Sequence, residues 1–274
     1  MITRVLKFAL ACLLCITAKA QAPATPKGSS PIDVTGYWVA LVTEDWRYRM
    51  LNAPKGDYYS IPLNAEGKRV GDTWDPAKDI AAGKQCLSYG APNIMRQPAR
   101  LHITWSNDSI LKVEIDAGKQ TRMFLFGPTP APPAEPTMQG TSVAVWQTPQ
   151  SIRAYTSKIS AQDPNTPGFR DASMASPPAP PDIRRLGGTL KVVTTHIKPG
   201  YLRNNGVPFS ADAILTEYYD VHRRGNDEYL IQTQIVEDPK YLNAPWVVSS
   251  HFRREPDGSK WDPEPCELVL PNSK

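Results

Sequence analysis

Apolar and polar residues alternate along many short stretches of this chain, and a period of two predicts strands. Residues 34–50 read as a long strand or a bent strand pair. Trp38, Ala40, Val42, Trp46, Tyr48 and Met50 fall on one parity there, and Thr43, Asp45, Arg47 and Arg49 on the other. A helix follows, with Asp75 as N-cap, Pro76 in its first position and Gly90 as its stop; it carries Cys86. Residues 101–105, 110–115 and 121–126, separated by the polar turns 106–109 and 116–119, form a three-stranded meander. Further strands are expected at 143–146, 189–197, 213–221, 229–237 and 246–254.

Eight or more short strands with one helix and no βαβ alternation predict an all-β fold, an antiparallel barrel or a sandwich. The 28 prolines argue against a helical bundle. The domain plan expected from these patterns is a signal peptide at 1–20, a disordered lead-in at 21–33 and a single β-barrel domain at 34–270. A Pro-rich excursion at 148–186 interrupts that domain.

The leader reading rests on Arg4 and Lys7, a short apolar run from Phe8 to Ile16, and the small-x-small site Ala18-Lys19-Ala20. The apolar run is about half the ~20 residues that a spanning helix needs. No stable membrane insertion is therefore expected once the leader is cleaved, and the mature chain is expected in the periplasm or secreted. Cleavage would also remove Arg4, Lys7 and Lys19, so the 31 basic residues fall to 28 against 27 acidic ones. A near-neutral chain with no basic stripe does not predict a nucleic-acid partner. Of four cysteines, only Cys86 and Cys266 lie beyond the leader. In an oxidising compartment that pair predicts one disulfide, the alternatives being two buried thiols or a catalytic thiol.

Two groups of residues carry a resemblance. Gly36-Tyr37-Trp38 at the head of a strand resembles the Gly-x-Trp start of lipocalin-like barrels, which implies a tryptophan plugging the closed end. The longer group runs Cys86, Gly90-Ala91-Pro92, Met95, Pro98, Val143, Trp146 and Leu190-Lys191-Val192-Val193-Thr194. It continues through Leu202, Gly206-Val207-Pro208-Phe209-Ser210 and Glu217 to Glu237-Asp238-Pro239-Lys240-Tyr241 and Pro245-Trp246. This order resembles a widespread family of uncharacterised exported bacterial β-proteins over residues 34–266. It implies one fold and export, with no activity attached. The stretch 148–186 departs from it by being longer than the family's tight link.

No Gly-x-Ser-x-Gly elbow, phosphate loop, His-Glu-x-x-His or dinucleotide fingerprint occurs, and no cofactor is expected. His102, His196 and His251 lie in expected strands, where a shared lumen would make them zinc or copper ligands; without a paired His motif, no metal is predicted. His222 sits near a turn. Glu217 stands mid-strand beside Tyr218 and Tyr219. The parities of Glu217 with Tyr219, and of Thr233 and Ile235 with Glu237, place two acids and a tyrosine in one interior, where acid–base chemistry becomes possible. Asp238 before Pro239 reads as a turn cap.

Two functions follow. The first is an exported barrel that binds a small apolar or aromatic molecule, with Trp38, Trp46, Trp105, Tyr201 and Trp246 as binding residues. The second is a cofactor-independent lyase, isomerase or hydrolase in the same cavity, with Glu217, Tyr219, His196, His251 and Arg47 as catalytic candidates. An envelope interaction protein with a flat apolar patch is the third option.

Overall fold

In the computed structural model, residues 24–128, 130–131, 135–148 and 187–268 are described; the leader 1–20 and nearly all of the excursion 148–186 lie outside them. The strands are β1 (Gly36–Leu41), β2 (Arg100–Asn107), β3 (Ile110–Ile115), β4 (Gln120–Phe126), β5 (Thr141–Gln147), β6 (Thr189–Thr195), the short pair β7 (Gly200–Tyr201) and β8 (Pro208–Phe209), then β9 (Ile214–Arg224), β10 (Asp227–Glu237) and β11 (Trp246–Glu255). Nine of them close into a barrel in the order β1-β11-β10-β9-β6-β5-β4-β3-β2. The expected all-β barrel is the fold.

Alternation does the building. Leu101 and Ile103 on β2, Leu111, Val113 and Ile115 on β3, and Leu190 and Val192 on β6 turn inward and are buried, while their neighbours face out. Burying such side chains contributes roughly 1.5–3 kcal/mol each. With Trp38, Phe124, Tyr219 and Phe252 they fill the main apolar cluster. A second cluster, including Ile61, Ile197, Phe209, Leu215 and Trp246, lies under the loops at the end of the barrel where β1 finishes and β2 begins.

Three details correct the expected plan. The neighbours β4 and β5 run parallel, pairing Phe124 with Ser142 and Leu125 with Val143; every other pair in the ring is antiparallel. The chain returns between Gly127 and Gly140 to the end from which β4 set out, so β5 repeats its direction. The long strand or bent strand pair expected over 34–50 is one strand that stops at Leu41. Asp45 takes a left-handed conformation (φ 50) and starts the helical turn α1 (Trp46–Arg49), which removes Trp46, Tyr48 and Met50 from any strand face.

The helix begins as expected. The Asp75 side chain accepts from the backbone of Ala77 and Lys78, and Pro76 opens α3 (Pro76–Ala81). It ends early, at Gly83 (φ +66), where the Gly83 and Lys84 amides bond back to Ile80 and Asp79. A 3-10 turn, Gln85–Tyr89, then carries Cys86. Two further short helices, α2 (Ala65–Gly71) and α4 (Ala91–Ile94), complete the cap, in place of the one helix expected. The disulfide is formed: Cys86 and Cys266 are bonded with their Cα atoms 5.2 Å apart across 180 residues. Among the described residues, no helix is long and apolar enough to cross a membrane.

Candidate functional site

The middle of the barrel is polar and filled. Arg122 on β4 reaches across to Glu217 on β9 with two bonds, Nη1 to Oε1 at 2.8 Å and Nη2 to Oε2 at 2.5 Å, and both side chains have no exposed surface. Tyr219 Oη and Gln232 Nε2 also donate to Glu217 Oε1, at 2.8 and 3.0 Å. Arg122 Nη2 donates to Thr194 Oγ1, which is bonded to Ser142, and Gln232 links through Gln234 to the Pro92 carbonyl. Burial opposes the charge on Arg122, but the Glu217 carboxylate outweighs it and raises the guanidinium above its usual value. Burial, and then Glu217, pushes the Tyr219 phenol well up, so it stays a donor.

Glu217 and Tyr219 therefore meet inside the barrel, as their parity implied. Their chemistry is already committed. Four donors occupy the two oxygens of Glu217, and removing any of them strands a buried group. The remaining catalytic candidates do not join them. His196 is exposed, just past β6 with φ 55. His251 points outward on β11, its Nδ1 3.5 Å from Glu44. Arg47 is 67% exposed and sits 3.9 Å from Asp57. His102 is also outside, stacked on Tyr37 with ring centroids 4.1 Å apart. Glu237 is exposed; the inward residues of β10 are Leu230, Gln232, Gln234 and Val236. Asp238 caps its turn, accepting from Ser210 and Lys240.

Arg122 is the residue the sequence reading missed. Its signal was a charge on the same parity as Phe124 and Phe126. A lone guanidinium on an apolar face needs a carboxylate, and Glu217 is that partner.

The aromatic candidates divide between the two barrel ends. Trp38 is fully buried at the end where β1 begins; its Nε1 donates to the Val34 carbonyl at 2.9 Å, and Arg254 lies over its ring. Gly36 must be glycine for this crossing, since a Cβ would fall 2.6 Å from Arg254 Nη1 and φ is +107. Trp105 belongs to a cluster at the same end, with Phe126 at 5.5 Å and Trp146 at 6.5 Å. Residues 24–33, expected within the disordered lead-in, form a strap across this end. Trp146 Nε1 donates to the Pro26 carbonyl at 2.8 Å, and the Lys27 amide to Asp108 at 3.0 Å.

Between strap and rim lies a cleft of about 590 Å³, whose walls include Lys27, Pro31 and Ile32 on the strap and Trp105, Val221 and Arg223 on the rim. At the other end, Trp246 is buried beneath Arg96, while Trp46 is 58% exposed on α1. Tyr201 donates to Asp79 at 2.8 Å on the surface of the cap; burial and then that carboxylate raise its phenol. Of the five aromatic candidates, the structure thus places Trp105 on a cleft wall of ligand size, Trp38 and Trp246 in the core, and Trp46 and Tyr201 on the cap. No protein-family model matches the chain, and comparisons with curated proteins and with solved structures return no match, so the functional reading rests on these side chains themselves.

Proposed function

We propose that this chain is an exported β-barrel protein that binds a small aromatic or apolar molecule, held in the cleft between the strap and the rim and not in the lumen. The observation that carries the reading is Trp105, backed by Phe126 and Trp146, on the wall of a 590 Å³ space. That volume falls within the range of small-molecule sites, roughly 300–1,000 Å³. An aromatic cluster with Ile32 and Val221 favours a flat apolar group, and the edge, where Lys27 and Asp33 lie with an Arg223 paired to Glu228, favours a polar substituent on it. The Arg122–Glu217 network moves the ligand to the mouth, because the lumen at that level is occupied by side chains. Export is supported by the leader pattern and by a disulfide that suits an oxidising compartment. The lipocalin-like resemblance gains support from a Trp38 that sits at the strapped end.

The test is a titration with N-phenyl-1-naphthylamine, a neutral aromatic probe. Wild-type protein is expected to give a saturable blue-shifted rise in probe emission with energy transfer from tryptophan. Val221→Trp, which fills the cleft, is expected to abolish the rise. Saturable binding that survives this substitution would place the ligand elsewhere, and the absence of saturable binding in wild type would remove the reading.

A further inference from the structure

Among the described residues, the capped end holds a concentration of buried arginine that the strapped end lacks. Arg49, Arg96 and Arg203 come from α1, from the turn after α4 and from the loop after β7, and each is at most 5% exposed. They repel one another: Arg49 feels Arg96, and Arg96 acts on Arg203. Burial lowers all three guanidiniums from their usual value, joined at Arg49 and Arg203 by the charge of Arg96; Asp45 opposes it at all three, and Glu44 at Arg49 and Arg96.

Their hydrogen bonds do not close the account. Arg49 uses Nε on the Arg96 carbonyl and Nη1 on Glu44, leaving Nη2 without a partner. Arg96 uses Nη2 on Asp45 at 2.9 Å, leaving Nη1. Arg203 uses Nη2 on Ser60 at 3.0 Å and stacks over Tyr48, leaving Nε and Nη1. Four buried guanidinium nitrogens from three side chains thus lack an acceptor. An orphaned buried donor is costly, and more so when it is charged.

The three buried arginines face Glu44, Asp45 and Asp57, and the exposed Arg47, itself 3.9 Å from Asp57, draws on the same carboxylates. Arg49 and Arg96 wall a cavity with Tyr48, Asn93, Gln97 and Asn204, and its interior has room for about one water-sized group. The backbone also commits strain here. Asp45 (φ 50) and Ser60 (φ 65) hold left-handed conformations uncommon for their residue types, and each presents its side chain to one of these arginines.

We infer that the cavity between Arg49 and Arg96 is a binding site for one small monovalent anion, of which a halide such as chloride is the probe. The anion supplies the acceptor that Arg49 Nη2 and Arg96 Nη1 lack. It also ties α1 to the segment after α4, so the geometry of the capped end depends on it. The site lies at the opposite end of the barrel from the aromatic cleft and does not depend on that reading.

The experiment compares sodium chloride, bromide, gluconate and sulfate at matched ionic strength on the full mature protein. Chloride and bromide are expected to raise the melting temperature saturably, and the larger anions are not. The 35Cl resonance is expected to broaden with the same midpoint. The decisive variant is Asn204→Asp. Its Oδ1 can keep accepting from Gln97 and Asn93 as Asn204 does, while its charge replaces the anion. Asn204→Asp is expected to lose the chloride response and, without chloride, to melt near the chloride-saturated wild type. Stabilisation that tracks ionic strength regardless of the anion overturns the proposal. So does an unchanged chloride midpoint in Asn204→Asp. Because the wild-type titration stands alone, a variant that fails to fold still leaves the proposal decided by anion selectivity and 35Cl broadening.

Discussion

Arg254 lies over Trp38, its Cζ 4.2 Å from the ring centroid, and from that position donates to the carbonyls of Asp33 and Thr35. One side chain from the last strand thus packs the first strand's tryptophan and pins the strap. Arg254→Met keeps the packing and loses the bonds. It is expected to cost about 2 kcal/mol in urea unfolding, the usual worth of bonds from a charged donor. Limited proteolysis is expected to cut first within 24–35 in that variant, and equal protection of the strap in both proteins would contradict this role.

The Arg122–Glu217 pair predicts an asymmetry. Glu217→Gln retains the shape but strands a buried guanidinium, and is expected to destabilise by about 3–5 kcal/mol. Replacing both partners with apolar residues, Arg122→Met with Glu217→Leu, is expected to recover the part of that loss due to the stranded guanidinium, while the donors Tyr219 Oη and Gln232 Nε2, left without their acceptor, keep the rest. Equal losses in the single and double variants would mean the pair does more than balance its own charges.

The Cys86–Cys266 bridge closes a loop across 180 residues that holds every barrel strand except β1. In the chain-entropy account a loop of this length stabilises by about 5 kcal/mol. Thiol titration of the unfolded, non-reduced mature protein is expected to find no free thiol. The Cys86→Ser, Cys266→Ser double variant is expected to unfold at markedly lower urea, with the same midpoint in the presence or absence of reductant.

Asp116 carries a pH signature. Burial raises its carboxyl above the usual aspartate range, outweighing the backbone amides of Arg100 and Ala117 that donate to it. With the folded value above the unfolded one, its contribution to stability is full below the unfolded value and falls away as pH rises through the folded value. Asp116→Asn keeps an acceptor for both amides and has no charge to bury. It is expected to gain stability relative to wild type at neutral pH, with the gain shrinking in acid. A difference that grows in acid would reverse the assignment.

The strands were legible because alternation survives in single sequences: Leu101, Ile103, Leu111, Val113 and Val192 each mark an inward face. Glu217 with Tyr219 was legible for the same reason. Where one residue changed the backbone, the pattern misled. Asp45 in a left-handed conformation turns an apparent strand into α1, and Gly83 splits one helix into α3 and a 3-10 turn. Strand direction left no trace either, since alternation reads alike both ways, and so the parallel β4–β5 pair was not foreseen. The arginine cluster was hidden for a different reason. Arg49, Arg96 and Arg203 are far apart in the chain, and each alone looks like a solvated surface charge.

The parallel pair has a consequence of its own. Strands of alternating direction can close a ring only when their number is even. Nine cannot alternate all the way round, so one like-directed neighbour is obligatory, and this chain places it between β4 and β5. Because β5 is antiparallel to β6, taking β5 out of the ring would leave eight strands that alternate without a fault. Because β3 is antiparallel to β4, the same holds for removing β4, so the odd strand belongs to this pair and the β4–β5 boundary is the topological seam of the barrel.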